Sequence, residues 1–241
     1  MIWSINHPVR SGMHTLRTAF LTLNQDHGIA QESWNHRVTP EEVLKFTATI
    51  KGWPEVADRV IKSTPSNLIV DWKLMWRDPQ PNWVSRTGRV VQLGDAAHTF
   101  LPSSGNGGTQ AIEDGVSLAT CLRIGGKHNI PAAMRVHNLL RFDRVSCLQA
   151  LGVANREARL SSKSATPKAA AVSRLGSWFF DHDPERYAVE SYENALAHVM
   201  DNKPFQNTNV PSGVDCAHWT MDGLANALDH GDPTIFDADW S

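Results

Sequence analysis

The stretch GRVVQLGDAAHTFLPSSGNGGTQAIEDG, residues 88–115, decides the fold prediction for this chain. Its apolar segment at residues 89–94 predicts a short strand buried on both faces. Asp95 follows that strand, and after a loop of small residues a helical pattern runs from Thr109 to Leu122. Ligands of open α/β folds bind at the carboxyl ends of strands, so Asp95 is expected at a ligand-binding edge.

The loop between this acid and the helix is rich in glycine. Pro102 stiffens it, and Gly105, Asn106, Gly107 and Gly108 let backbone N–H groups come close to a flat or anionic group. The helix that follows turns its positive end to the same place, which favours negative charge by about 0.3–1 kcal/mol. An ionised aspartate pairs with a hydroxyl or a ring N–H group. A flavin, a polyol joined to a ring that becomes anionic, meets both demands.

Plainer explanations exist for the same residues. Asp95 also fits an ordinary turn at the end of a strand, where aspartate is common. The glycines also fit a flexible loop with Asn106 as the turn former. For Glu113 and Asp114 we expect complementation of the helix dipole in a first turn, with acid/base chemistry as the alternative.

Other candidate residues have structural explanations as well. His98 is a candidate general base, but no serine or cysteine motif surrounds it, so we expect a core histidine. Arg141 and Arg144 are expected on a solvated or ion-paired helix face, with a phosphate contact as the alternative. Cys147 is expected as a buried free thiol. Three tryptophans would line a substrate cavity or pack in the core: Trp72, Trp76 and Trp83.

The segment GDAAHTFLPSSGNGGTQAIEDGVSLA, residues 94–119, resembles the second flavin-binding motif of the single-component, FAD-dependent aromatic hydroxylases, the group of salicylate and p-hydroxybenzoate hydroxylases. The resemblance extends from about Trp34 to Arg159, and FDHDPERYAVESY and PFQNTNVP are similar to the tail of fungal members. It implies that Asp95 accepts a hydrogen bond from the ribityl chain and that Pro102 lies near the flavin ring. The N–H groups of residues 105–108 would face the N1–C2 carbonyl edge of the flavin.

The resemblance also implies a reaction. FAD would be the cofactor and NAD(P)H the transient reductant, and a flavin hydroperoxide would hydroxylate or epoxidise a small aromatic or polyketide-like secondary metabolite. A redox-independent cyclase or isomerase on the same fold, or a non-catalytic fragment, is the alternative. No residue is predicted as a catalytic acid or base, and no metal ligand is predicted.

The strand–turn–helix unit with G-x-G-x-x-G that opens such enzymes has no counterpart in this sequence. The segment SGNGGT lies in mid-chain and does not fit that fingerprint. The sequence therefore resembles roughly the C-terminal half to three-fifths of a family member. Strands that pair with the missing unit would expose an edge, so either another surface, such as a partner chain, covers that edge or the sheet is rearranged.

These observations predict an α/β (α+β) fold: a partial FAD-dependent monooxygenase fold with a mixed substrate-domain sheet, a flavin-contacting strand, loop and helix, and a long C-terminal helix. Residues 1–86 would form the partial substrate domain. Residues 87–160 would hold the flavin-contacting strand, the glycine loop and two helices. Residues 161–241 would contain a linker at 161–173, a helix and a loop-rich tail that wraps a surface.

Local patterns predict the remaining elements. Residues 1–24 have strand-like content, and Thr39 followed by Pro40 predicts a capped helix, with a second short helix after it. A helical period predicts one long helix from Pro131 to Arg159, with Gly152 as a weak point. Asp183 is expected to cap a last helix. The helix after the glycine loop is expected to bury one apolar face, formed by Ile112, Val116, Ala119 and Leu122.

Composition excludes several classes of protein. The 241 residues carry a net charge of -2, so no basic field indicates a nucleic-acid partner. No apolar run reaches the roughly 20 residues of a membrane span, and the first residues do not resemble a secretory signal. The 3 cysteines are widely spaced, which favours free thiols in a reducing compartment and a cytoplasmic location.

Overall fold

The chain divides into two compact units, Met1–Met75 and Trp76–Ser241. The structure, a computed structural model, describes residues 2–7, 17–22, 37–72, 75–160, 176–216, 218–237 and 240. The linker predicted at residues 161–173 lies outside the described residues. The family-based division at residues 86 and 160 stays a prediction.

The first unit contains a three-stranded antiparallel sheet in the order β2–β1–β3. Its strands are β1 (Ile2–His7), β2 (Arg17–Thr22) and β3 (Val70–Trp72). The central strand β1 places Ile2 opposite Thr22 on one side and opposite Trp72 on the other. The strands predicted within residues 1–24 are confirmed.

Two helices complete the described part of the first unit, α1 (Pro40–Thr47) and α2 (Glu55–Ser63). The predicted cap of α1 is confirmed: the Glu42 N–H donates to Thr39 Oγ1 at 3.3 Å, and the Thr39 N–H donates to Glu42 Oε2 at 2.7 Å. Such a cap stabilises a helix by about 1 kcal/mol. The helices enclose a small core of three fully buried side chains, Val43, Ile61 and Ile69.

Helices dominate the second unit: α3 (Gly107–Gly125), α4 (Ile130–Leu160), α5 (Ser177–Phe180), α6 (Pro184–Asp201) and α7 (Met221–His230). The long helix predicted from residue 131 is confirmed as α4. The predicted cap of α6 is confirmed too, since Asp183 accepts from the N–H groups of Glu185 and Arg186 at 3.0 Å. Helices α3, α4 and α6 pack against one another around Leu140 and Tyr192.

A second core lies along the C-terminal half of α4. It combines Trp83, Phe100 and Leu101 from the segment before α3 with residues of the tail, among them Met221 and Trp240. The tail is loop-rich outside α7, as predicted, but it inserts Trp240 into the core with 3% exposure and does not only wrap a surface. Isolated tryptophans bring large apolar areas to a core without producing a helical period, which is why the pattern missed this role.

Gly152 is a packing position on α4, and its predicted weakness in the helix stays a prediction. A Cβ at this glycine would lie 3.0 Å from Ser104 Cβ and 3.7 Å from Leu101 Cβ. The absence of a side chain therefore lets the loop before α3 approach the helix closely. The helix continues through residue 152 without a break.

The strand predicted at residues 89–94 is not formed. Residues 83–92 fold back on themselves, with the Ser85 N–H donating to the Val90 carbonyl at 2.8 Å and the Gln92 N–H to the Trp83 carbonyl at 2.9 Å. Among the described residues, the only ladder contact here is the single bridge between Val84 and Val91. Val90 is 63% exposed. An apolar run becomes a buried strand only where neighbouring strands pair with it, and no described strand lies alongside.

The predicted apolar face of α3 is wrong at Ile112 and Val116, whereas Leu122 packs against the core around Leu140 as predicted. Ile112 is 71% exposed and Val116 is 37% exposed, while the buried face consists of Gln110, Glu113, Asp114, Ser117, Thr120 and Cys121. The buried acids reach cationic side chains of α4, and this pairing offsets the cost of their desolvation. Periodicity locates two faces of a helix, but charge pairing with a remote helix selected the polar one for burial.

The cysteine prediction needs correction. Cys147 on α4 is joined to Cys216 in the tail by a disulfide, with their Cα atoms 5.1 Å apart and a sequence separation of 69. Cys147 is therefore not a free thiol. Cys121 is a buried free thiol, and burial raises its pKa to about 12. Spacing along the sequence does not reveal which cysteines meet.

We expect Gly152→Val to destabilise the chain by about 1–3 kcal/mol, because the new side chain overlaps Ser104. Gly115→Ala is the matched control, since a Cβ at this helical glycine meets nothing within 4 Å. It should stabilise by about 0.5–1 kcal/mol. Urea unfolding of both variants measures the difference. Equal responses would contradict the close packing of loop and helix.

We expect Ile112→Ser to change the free energy of unfolding by less than about 0.5 kcal/mol, as for other exposed positions. Soluble yield should rise because an exposed apolar side chain is removed. Urea unfolding checks the first effect, and the soluble fraction after expression checks the second. A loss above about 1.5 kcal/mol would show that Ile112 is buried in this chain.

Candidate cofactor-binding site

The acid-bearing turn is a 3-10 turn, Gly94–Ala96, that lies against α3. Gly94 has φ +55°, a left-handed conformation that glycine adopts without strain. A Cβ at this glycine would lie 3.2 Å from Ala111 Cβ, so the backbone of the turn sits close to the first turns of α3. The Gly94 carbonyl accepts from the Ala97 N–H at 2.9 Å and from the His98 N–H at 2.8 Å.

Asp95 projects from this turn and is exposed. Its backbone carbonyl accepts from Thr99 Oγ1 at 3.1 Å, while its carboxylate has no hydrogen-bond partner among the described residues. The carboxylate is therefore an acceptor available to a ligand hydroxyl.

The glycine loop leads into the N-terminus of α3. Pro102 begins a 3-10 turn, Pro102–Ser104, and Gly105 follows with φ +66°. Asn106 occupies the N-cap position, but its side chain donates to the Ser104 carbonyl at 3.0 Å and does not cap the helix. The N–H groups of Gly107 and Gly108, at the start of the helix, have no acceptor within the helix.

The space beside this loop is open on the side that a side chain would fill. A Cβ at Gly105 or at Gly108 would meet no atom within 4 Å. Gly107 differs, because its Cβ would lie 3.2 Å from Phe100 Cβ. Gly107 therefore permits packing of the loop, and Gly105 and Gly108 leave the helix mouth accessible.

These residues fit one side of a flavin cofactor. The open helix mouth supplies N–H donors and the positive end of a helix dipole, which suit an anionic ring edge. The unpaired carboxylate of Asp95 suits a ribityl hydroxyl. Pro102 is exposed in the same loop. The predicted loop residues therefore lie together at the start of α3. The turn that carries Asp95 packs against the same helix.

A buried charge network lies on the inner side of α3. Asp114 has 0% exposure and accepts from His98 Nε2 at 2.5 Å, from Arg141 Nε at 3.0 Å and from the Gly94 N–H at 3.0 Å. Three donors therefore converge on one carboxylate. Such charge-assisted bonds are about twice as strong as neutral ones.

Glu113 forms the second centre of the network. Its Oε2 accepts from Arg141 Nη1 at 2.5 Å and from Arg144 Nε at 2.9 Å, and its Oε1 accepts from Arg144 Nη2 at 3.1 Å. Arg144 continues to the tail, donating to the backbone carbonyl of Trp178 at 2.5 Å. The network therefore connects α3, α4 and the segment that contains α5.

Both acids of the network are held in the ionised form. Burial alone would raise the pKa of Asp114, but the hydrogen bond from His98 and the charge of Arg141 outweigh it and lower the pKa to about 2. Burial likewise opposes ionisation of Glu113, yet the hydrogen bond from Arg144 and the charge of Arg141 hold its pKa below the ordinary value. Burial lowers the pKa of Arg144, and the hydrogen bond and charge of Glu113, which raise it, do not fully offset this.

The first-turn dipole role predicted for Glu113 and Asp114 is wrong. Helix α3 begins at Gly107, so both acids lie in its second turn, and both are buried ion-pair partners. Arg141 and Arg144 are ion-paired as one of the predicted alternatives had it, but they are buried and not solvated, with 1% exposure each. The signal that sequence reasoning missed is a polar stripe on α3 matched by two arginines three residues apart on α4.

Histidines and Trp83 surround the network. His98, predicted to be a core histidine, has 3% exposure, and its ring centroid lies 5.1 Å from that of Trp83. His137 is fully buried and contacts Ser117 Oγ through Nδ1 at 3.1 Å. Burial lowers the pKa of His137 to about 4, so its ring is neutral at pH 7. Trp83 therefore serves the core, which is one of the two roles predicted for it.

Two clefts lie elsewhere in the second unit. A polar cleft of about 640 Å³ includes Trp76, Gln92 and Ala96, the neighbour of Asp95. A more apolar cleft of about 800 Å³ is lined by the tail, including Trp219 and Ile235. Both volumes lie in the range of small-molecule sites, about 300–1,000 Å³. The residues that line them do not include the glycine loop, so the open helix mouth remains the candidate site.

Comparisons with known proteins bear on the family of the chain. The model of the FAD binding domain family matches residues 19–125, which contain the Asp95 turn, the glycine loop and the whole of α3. The FAD-dependent monooxygenase fsr3 of Gibberella fujikuroi is 43% identical over 219 residues, covering 88% of this chain and 42% of that protein. The FAD-dependent monooxygenase dmxR9 of Cryptosporiopsis sp. is 38% identical over 226 residues, covering 91% of this chain and 44% of that protein.

Solved structures give the same result. The crystal structure of native FqzB has a TM-score of 0.63 and 34% identity, covering 78% of this chain and 44% of that one. The crystal structure of CtdE in complex with FAD and substrate 4 has a TM-score of 0.61 and 30% identity, covering 72% of this chain and 42% of that one. The predicted fold class is confirmed. This chain spans less than half the length of these relatives.

Across the described ranges of the chain, no helix combines the length and the apolar content that crossing a bilayer requires.

We expect the stability of the chain to fall as pH drops from about 6.5 through 4. The pKa of His137 is lowered to about 4 in the folded chain, so the unfolded state, with a pKa near 6.5, binds the proton first. The pKa of His182 is lowered to about 4 by burial and the charge of Arg144, with the same sign. Each histidine contributes up to about 3 kcal/mol above pH 6.5 that is lost by pH 4.

His137→Gln removes one of these titrations and should flatten the pH dependence of the free energy of unfolding, measured in urea between pH 7 and pH 4. The matched control is His128→Gln, at an exposed histidine. It should retain the slope of the unmodified chain. An unchanged slope in His137→Gln would contradict the buried neutral state of His137.

Proposed function

This chain belongs to the FAD-dependent monooxygenases, of which it represents a part, and we propose that it forms the isoalloxazine and ribityl side of their flavin site. The observation that carries the proposal is the accessible N-terminus of α3 together with the unpaired carboxylate of Asp95 on a turn bound to the same helix. A ligand with an anionic ring edge and neighbouring hydroxyl groups satisfies both. The redox-independent alternative has no comparable observation in its favour.

Each residue of the loop has a separate role in the proposal. Asp95 accepts a hydrogen bond from a ribityl hydroxyl, and the first N–H groups of α3, at Gly107 and Gly108, donate to the N1–C2 carbonyl edge. Gly105 in its left-handed conformation turns the chain into the helix without covering the mouth. Pro102 stiffens the loop beside the ring. FAD, when bound, supplies the oxygen-transfer chemistry, and these residues orient it and stabilise its negative charge.

The reaction proposed for the whole protein is hydroxylation or epoxidation of a small aromatic or polyketide-like secondary metabolite, with NAD(P)H as the transient reductant and O2 as the oxidant. The relatives' description as FAD-dependent monooxygenases supports the reaction class. Within it, the residues of this chain orient the cofactor and provide an anion-stabilising helix terminus. A cytoplasmic location stays a prediction, and the disulfide removes one argument for it.

Contacts to the rest of the cofactor would come from protein sequence outside this chain, since it matches 42–44% of the relatives' length. The outer face of α3 is the surface proposed to receive it. Ile112 and Val116 are exposed apolar side chains on this face, and Gly115 offers an unobstructed backbone for close approach. The partner proposed is a polypeptide that carries a G-x-G-x-x-G unit.

We expect Asp95→Asn to weaken FAD binding about tenfold, because an amide replaces the anionic acceptor of a ribityl hydroxyl. FAD affinity is measured by quenching of flavin fluorescence, with the chain alone and with a co-expressed segment carrying the nucleotide-binding unit. Asp229→Asn is the matched control: it makes the same substitution at an exposed position on α7 and should leave the affinity unchanged.

A chain that shows no flavin fluorescence quenching and no visible absorption, alone and with that segment, would refute the proposed function. Equal affinity in Asp95→Asn and the unmodified chain would refute the role of Asp95 and leave the helix mouth as the binding element. Turnover of an aromatic substrate without NAD(P)H and O2 would favour a redox-independent enzyme.

A further inference from the structure

Asp114 contacts the chain on both sides of Asp95, at the first residue of the acid-bearing turn and at a residue just after it. Its Oδ2 accepts from the backbone N–H of Gly94, the residue before Asp95, at 3.0 Å. The same oxygen accepts from the ring of His98, three residues after Asp95, at 2.5 Å. Its second oxygen accepts from Arg141 Nε at 3.0 Å. One carboxylate on α3 therefore brackets the turn and ties it to α4.

The neighbouring acid does not make these contacts. Glu113 belongs to the same buried network and accepts from Arg141, Arg144 and Gln110, but it accepts from neither Gly94 nor His98. The two acids are adjacent in sequence, buried and ion-paired to the same arginine. They differ in their other partners: Asp114 also accepts from Gly94 and His98, whereas Glu113 also accepts from Arg144 and Gln110.

The backbone of the turn packs closely on Ala111 of α3, but its other hydrogen bonds are local. Within the described residues, its own hydrogen bonds are the local ones to the Gly94 carbonyl and the bond from Thr99 Oγ1 to the Asp95 carbonyl. Both are closed inside residues 94–99 and do not set where the turn lies relative to α3. The Gly94 N–H to Asp114 bond and the His98 ring contact do set this position.

We propose that Asp114 is a positioning residue of the flavin site: its carboxylate holds the turn that carries Asp95 at a fixed distance from α3, whose N-terminus forms the other half of the site. This inference rests on the proposed function for its consequence in flavin binding. Its structural half, the fixing of the turn, is independent of any ligand.

The experiment compares Asp114→Asn with Glu113→Gln, two variants that each remove one buried negative charge from the same network. Two quantities are measured: hydrogen exchange of the peptide that covers residues 93–99, and FAD affinity by flavin fluorescence. Thermal unfolding is recorded alongside, and both variants should lower Tm. Exchange in residues 93–99 should rise about tenfold in Asp114→Asn, and FAD affinity should fall about tenfold, for loss of a charge-assisted bond. Glu113→Gln should change both by less than about threefold.

Hydrogen exchange tests the positioning of the turn, and FAD affinity tests the proposed function. Faster exchange confined to Asp114→Asn, in a chain that binds no FAD, supports the positioning of the turn and refutes the proposed function. Parallel changes in the two variants would overturn the positioning role, because they would show a general loss of the network. Unchanged exchange and affinity in a folded Asp114→Asn chain would overturn it as well.

A measurement on the unmodified chain covers the case in which Asp114→Asn does not fold. The amide proton of Gly94 should exchange at least about tenfold more slowly than that of Asp95 in NMR exchange experiments, because it donates to a buried carboxylate. Equal exchange rates at the two amides would overturn the inference.

Discussion

The buried ion pair between Asp114 on α3 and Arg141 on α4 is the interaction on which the second unit depends. Both side chains are at most 1% exposed, and each is further bonded, Asp114 to the acid-bearing turn and Arg141 to Glu113 and Gln110. Breaking such a pair leaves an uncompensated buried charge and costs about 3–5 kcal/mol. The position of α3 relative to α4 therefore depends on every charge of this network having a partner.

The same constraint explains why α3 has its polar side inside. Because the acids of α3 pair with the arginines of α4, Ile112 and Val116 on the same helix face outward, and Ile112 is the more exposed. The N-terminus of the helix points to the glycine loop and lacks a side-chain cap. One helix thus combines a fixed inner face, an open end suited to an anionic group, and an outer face suited to further protein surface.

The C-terminal tail contributes to this arrangement through ordinary packing. The disulfide between Cys147 and Cys216 joins it to α4, and Trp240 lies in the core beside Phe236, with ring centroids 4.9 Å apart. Arg144 bonds the backbone carbonyls of Trp178 and Asn209, so the tail also closes over one end of the charge network. Apolar burial and charge satisfaction therefore stabilise the same segment.

The sequence by itself determined the capped helices after Thr39 and Asp183, the long helix α4, and the glycine loop followed by α3, because caps, periods and glycines act over a few residues. The resemblance of residues 94–119 added the family and, through it, the roles expected of Asp95 and the loop. Tertiary structure alone decided that residues 89–94 do not form a strand, that α3 buries its acids, and that Cys147 meets Cys216. Each of these outcomes depends on a partner distant in sequence: a neighbouring strand that is lacking among the described residues, an opposite charge 27 or 28 residues away, or a second sulfur 69 residues away.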